Sequence, residues 1–332
     1  MTVTIGRREL LVALGGTVAA WPLAARAQQP ALPVVGFLSF RSPGESASVE
    51  AAFRQGLREQ GYVEGQNLHI AFRWAEGHYE RLPALAANLV EIRVALIAAA
   101  GGQASGLAAK AVTSTVPIVF VSGEDPVKLG LVAGLNRPGG NATGVSMFLS
   151  EMEAKRLALL RELIPGAPLI GVLVNPSSPS IDTQLNDVLS AARALRQPIQ
   201  IVNATNEREI DAAFAALAQN KVAAVLVCAN AYLTSRRDQI VALAAQYSIP
   251  TIHDQREFAA AGGLMSYGTD LAGAYRLMGV YAGQILKGEK PANLPVQQST
   301  KFELVINLAT AKALGLEVPA TILARVDEVI ES

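Results

Sequence analysis

His69, His78 and His253 are the only histidines of this 332-residue chain, and Cys228 is its only cysteine. Metal and nucleophilic chemistry therefore have little to draw on. No two of the histidines lie three or four residues apart, the spacing that puts two ligands on one helix face, so no metal site is expected. The chain has no G-x-S-x-G elbow and no P-loop. The turn Ser39-Phe40-Arg41-Ser42-Pro43-Gly44 lacks the G-x-G-x-x-G that a dinucleotide needs. No nucleophile, base and oxyanion donor assemble from what remains, so we expect no catalytic residue, no cofactor and no enzymatic activity.

The remaining candidates are polar groups that follow apolar runs. Gly101-Gly102-Gln103-Ala104-Ser105-Gly106 ends one run and opens a helical segment. Either the glycines simply permit a tight turn, or free N–H groups at the helix start, with Gly102, Gln103 and Ser105, receive a ligand carboxylate. Ser122 and Asp125 follow the run 118–121. Asp125-Pro126 reads equally as an N-cap with proline at the first helical position. Asn175, Asn230 and Asp254 each follow a further run, where polar residues serve turns or converge on a ligand. Asp254 is the candidate partner for a ligand ammonium, and Phe40 and Tyr267 offer apolar faces.

These positions need elements to hold them. From Pro33 onward short branched runs alternate with longer segments of helical period, the pattern of a parallel sheet built from βαβ units. Strands are predicted at 34–38, 68–72, 94–98, 118–121 and 144–147, with helices at 46–60, 79–91 and 103–112. The second series has strands at 169–174, 199–202, 223–228, 250–252 and 263–267, with helices at 151–163, 181–195, 207–218 and 233–247. A helix at 270–287 and a final segment from Phe302, with a helix at 308–314, cannot form a third domain and must return to the lobes already built. If the helix joins the first lobe and Phe302 onward the second, the chain crosses three times. A cleft then lies at the carboxyl ends of both sheets. The expected division is 28–148 with 269–298, and 149–268 with 299–332.

Residues 1–27 read as an export leader. Arg7 and Arg8 precede an apolar stretch from Leu10 to Ala20, and Ala25-Arg26-Ala27 fits the small-x-small cleavage pattern. Gly6-Arg7-Arg8-Glu9-Leu10-Leu11 also suits a twin-arginine signal, so the Sec and twin-arginine routes stay open. Eleven apolar residues are too few for the roughly 20 that span a bilayer, so a soluble periplasmic product is expected. A lone thiol in the run 222–228 makes no internal disulfide. With 28 basic and 28 acidic residues, no nucleic-acid partner held by counterion release is expected.

The chain resembles the substrate-binding proteins of ABC transporters, whose relatives include tryptophan- and phenylalanine-binding members. The resemblance is carried by Phe53-Arg-Gln-Gly-Leu-Arg-Glu-Gln-Gly-Tyr-Val-Glu-Gly-Gln-Asn67 and by RWAEGHYERLPALAANLV at 73–90. It continues through PIVFVSGEDPVKLGLVAGLNRPGGNATG at 117–144 and FELVINLATAKALGLEVP at 302–319. It implies a type I periplasmic-binding-protein fold of the α/β class: two Rossmann-like lobes, a three-crossing hinge and ligand in the cleft. It also implies binding positions in the loop after the first strand, with Ser39 and Phe40, and in the loops of 101–105, 122–125 and the second lobe. Relatives often carry a threonine or serine where this chain has Ala98-Ala99-Ala100, so a hydroxyl grip on a carboxylate is not expected there. The function implied is capture of a small organic ligand, an amino acid or aromatic carboxylate, and delivery as a monomer to an inner-membrane ABC permease. The alternative is a periplasmic sensor feeding a chemoreceptor or histidine kinase.

Overall fold

The computed structural model describes residues 32–45, 47–299 and 301–331; the leader and its cleavage point lie outside them. The first sheet holds β1 (Val34–Ser39), β2 (His69–Trp74), β3 (Leu96–Ala100), β4 (Ile118–Ser122), β5 (Ala142–Ser146) and the two-residue β11 (Gln297–Gln298). Its order is β11-β5-β4-β3-β1-β2, and every pairing is parallel. The second contains β6 (Ile170–Val174), β7 (Ile199–Asn203), β8 (Ala224–Val227), β9 (Thr251–His253), β10 (Met265–Thr269), β12 (Phe302–Asn307) and β13 (Glu328–Ile330). Its order is β13-β12-β10-β9-β8-β6-β7, parallel except where β12 runs antiparallel to β10.

The chain passes between the sheets after β5, after β10 and after β11. The helix Leu271–Leu286 packs on Ala47–Glu59 of the first lobe, and β12 returns to the second. The central strands, β1, β3, β4 and β5 in the first sheet and β6, β8 and β9 in the second, are buried on both faces, as parallel sheets covered by helices require. In each sheet the strand order reverses, between β1 and β3 and between β6 and β8. Such a reversal splays the following loops apart and leaves a crevice at the strand ends.

Several predicted elements shift. The third strand starts at Leu96 rather than Val94, because Leu96 pairs with Val35 while the Val94 N–H closes the preceding helix on Leu89 O. The neighbouring predicted strands move to 142–146 and 251–253 in the same way. Asp125-Pro126 opens no helix. The Asp125 side chain accepts from the Val127 and Lys128 N–H groups, but Gly130 takes a left-handed φ of 70° and ends the segment after one turn. The helix predicted at 233–247 is two pieces, Ala231–Ser235 and Arg237–Gln246, and a short helix at Arg256–Ala260 and strand β13 complete the second lobe.

Candidate functional site

Loops from the carboxyl ends of both sheets meet around a partly open cleft of ≈ 600 Å³, adjoining solvent included. The first lobe contributes the main chain of the 101–102 turn and residues that include Arg41, Tyr79, Gln103, Glu124 and Tyr275. Gly101 and Gly102 have φ of 78° and 112°, a geometry closed to residues with a Cβ, and they turn the chain from β3 into the helix Gln103–Val112. The Gly101 N–H donates to Tyr275 Oη at 2.7 Å, which fixes a second cavity-lining ring from the helix Leu271–Leu286. After β1, Ser39 Oγ accepts the Arg41 N–H at 3.1 Å, and Arg41 lines the cavity with its Nε buried and unpartnered.

The second lobe contributes side chains fastened from behind. Asp254, just past β9, is 4% exposed, and burial pushes its carboxyl above the ordinary range against the opposing pull of Arg156, the Gln255 hydrogen bond and Arg41. The Gln255 amide donates to Asp254 Oδ2 at 3.3 Å and accepts from Arg41 Nη2 at 3.2 Å. This places a neutral bridge between a cation of one lobe and an anion of the other. Asn230 caps the helix Ala231–Ser235, accepting from the Tyr232 and Leu233 N–H groups.

Between them Ala229 is gripped at both main-chain atoms. Its N–H donates to Glu153 at 2.8 Å, and its carbonyl accepts from Gln184. Glu153 pairs with Arg156 at 2.9 Å, both side chains wholly buried, and Arg156 also donates to Tyr267 O at 2.7 Å and Leu149 O at 3.2 Å. Burial raises the Glu153 carboxyl while Arg156 opposes the rise. Met147, Leu149 and Leu271 form an apolar end of the cavity, where the chain passes between the sheets.

Of the residues singled out by sequence, Gly102, Gln103, Asn230 and Asp254 line this cavity. Ser39 supports Arg41. Phe40 is buried behind the wall, stacked on Tyr79 with ring centres 4.2 Å apart. Ser105 is buried in its helix with no partner for Oγ, and Ser122 Oγ is turned to Glu124 O. Asp125 lies outside the lining. Asn175 donates to Asn230 Oδ1 at 3.3 Å, and Tyr267 stacks on Phe302. Glu124, within the 122–125 loop that the resemblance marked, lines the cavity too, whereas Arg41, Tyr79, Gln255 and Tyr275 were not singled out. Arg41 and Gln255 stood beside residues that sequence reasoning chose, and the available signal was a charged or amide group one step past a buried aromatic or acid. Among the described residues, no group of three or more His, Cys, Asp or Glu is placed to hold a metal, and no helix is long and apolar enough to cross a membrane.

Two α/β lobes meeting over a charged cavity define a two-lobed ligand-capture protein. The comparisons name the family. A model of the ABC transporter substrate binding protein family matches residues 34–330, and the chain belongs to that family, whose members bind ligands rather than transform them. It is 29% identical over 269 residues to a tyrosine-binding protein of Clostridioides difficile strain R20291, covering 80% of this chain and 76% of that protein. A substrate-binding domain in complex with L-Trp, from Streptococcus pneumonia, superposes with a TM-score of 0.82 at 25% identity, covering 90% of this chain and all (100%) of that one. The ligand-free, open structure of a substrate-binding protein with adhesive properties from Clostridium difficile, also 25% identical, gives a TM-score of 0.65 over 91% of this chain and 100% of that one.

Proposed function

We propose that the chain is the periplasmic solute-binding component of an ABC importer, exported by a cleaved leader, and that its two lobes, 28–148 with 269–298 and 149–268 with 299–332, act as a monomer. The ligand is a small amino acid or amine held without chemical change. One observation carries the reading: Arg41 of the first lobe and Asp254 of the second face the same cavity, joined by Gln255. A zwitterion suits this pairing, with its carboxylate toward Arg41 and the Gly102 and Gln103 N–H groups and its ammonium on Asp254. Met147, Leu149 and Leu271 take its apolar body.

The better superposition on the L-Trp complex than on the open relative, at equal identity, supports reading the lobes as closed. A ligand that prefers this arrangement shifts the population toward it, and the closed form is what a permease meets. Calorimetry of the leader-free protein against the amino acids and their decarboxylated amines tests the proposal. Saturable 1:1 binding with the ligand recovered unchanged is expected. Binding of none of these compounds, or conversion of one, refutes it.

A further inference from the structure

Among the described residues that line the cavity, Arg41 is the one basic residue, beside the acids Glu124 and Asp254. A ligand carboxylate therefore depends on Arg41 for its counter-charge, whereas a ligand ammonium does not. Resting on the ligand-capture reading above, we infer that Gln255 is the specificity-determining residue of the cavity. Its neutral amide joins Arg41 to Asp254 without discharging either, and so fits the site to a zwitterion in preference to the plain amine or the plain carboxylic acid.

The geometry leaves the amide one orientation. A guanidinium only donates, so Gln255 must turn Oε1 toward Arg41 Nη2, at 3.2 Å, and this leaves Nε2 to donate to Asp254 Oδ2, at 3.3 Å. All three side chains are buried. The Gln255 main chain stands at the start of the helix Arg256–Ala260, yet its side chain makes no capping bond there. Both ends of the amide are thus committed to the two charges rather than to the helix. The bond to Arg41 takes Nη2 and leaves Nε buried without a partner, a donor that a ligand carboxylate at Arg41 can satisfy. The bond to Asp254 takes Oδ2 and leaves Oδ1 for an ammonium.

Other side chains at this position would read a different ligand. A carboxylate would take Nη2 and Nε together, in the forked pairing that a guanidinium prefers, and would stand as a further acid beside Asp254. An apolar side chain would remove the spacer and leave Arg41 and Asp254 to answer each other across the cleft. Only a neutral group with one donor end and one acceptor end keeps both charges in place and both available.

The test is calorimetry of the leader-free protein with the standard L-amino acids, the tightest binder then being compared with its decarboxylated amine and its deaminated acid. The wild type prefers the amino acid to both. In Gln255→Glu the lead of the amino acid over the amine falls about tenfold or more, while its lead over the deaminated acid rises. A residue that merely shapes the wall would move all three affinities by a common factor, and that result, or unaltered ratios, overturns the inference. Gln255→Met adds no charge and decides the matter if the Glu variant does not fold: the lead of the amino acid narrows over both partners, and ratios equal to those of the wild type overturn the inference. A wild type that binds an amine more tightly than every amino acid also overturns it, with the capture reading left standing. Binding of none of these compounds refutes the capture reading and this assignment with it.

Discussion

The helices Glu153–Leu163 and Leu271–Leu286 each follow a passage of the chain from one lobe to the other, yet they are fastened by opposite means. Leu271–Leu286 lies against Ala47–Glu59 through glycines at the crossing: a Cβ on Gly56 would stand 1.9 Å from Arg276 O, and one on Gly279 would stand 2.1 Å from Phe53 O. Backbone meets backbone there, and the ion pair between the two helices, Arg276 to Glu59 at 2.7 Å, lies on the exposed surface rather than at the crossing. Glu153–Leu163 is instead seated by the Glu153–Arg156 pair, whose hydrogen bonds reach Leu149, Ala229 and Tyr267 while Arg156 Nη2 stays buried without a hydrogen-bond partner. The first contact sets shape alone. The second sets shape and also the electrostatics of Asp254, which feels Arg156 directly.

Breaking the charged seat has the largest expected effect. Arg156→Met leaves Glu153 buried without its cation and lowers stability by about 3–5 kcal/mol, whereas Arg156→Met combined with Glu153→Gln restores much of it, read from urea unfolding midpoints. The same single variant weakens ligand binding. Gly279→Ala comes next: overpacking lowers stability by about 1–3 kcal/mol or more, and ligand affinity per folded molecule stays the same. If Gly279→Ala also weakens binding in calorimetry, the division of labour between the two helices is wrong.

Asp254→Asn sharpens the comparison. An amine-bearing ligand loses roughly 1–3 kcal/mol of affinity. Because burial raises the Asp254 carboxyl in the fold, its contribution to the ligand-free state is whole below the unfolded value of about 3.9 and fades as pH rises through the raised folded value. The Asn variant therefore gains on the wild type in melting temperature as pH rises toward neutrality.

An effect confined to acid pH belongs to His253, stacked on Phe258 and held down to about 3 by burial first and Arg156 second. Its imidazole stays neutral in the fold while the unfolded chain takes up a proton below about pH 6.5, so stability falls from there toward pH 3. His253→Phe flattens that limb of the melting-temperature profile.

The two-lobed α/β class and its three crossings were legible because buried parallel strands read as continuous apolar runs, and 302–306 had no sheet of its own to join. Strand ends were less legible, since register decides them: Val94 belongs to a helix cap and Leu96 to the sheet. The second-lobe acid was legible because Asp254 directly follows a strand. Arg41 was not, because nothing in the turn 39–44 reveals that Ser39 occupies itself with the Arg41 N–H and leaves the guanidinium to face Gln255. Tyr79 was hidden for a different reason. The helix predicted at 79–91 opens with a 3₁₀ turn at Tyr79–Arg81 that runs directly into Leu82–Glu91, and nothing in its spacing marks Tyr79 as part of the cavity wall.

Met147 and Leu149 stand on the first crossing and also in the cavity wall. The joint is thus partly upholstered by whatever the cavity holds. On the capture role proposed above, a bulkier guest would bear on that joint and a slimmer one would leave it free to fold further.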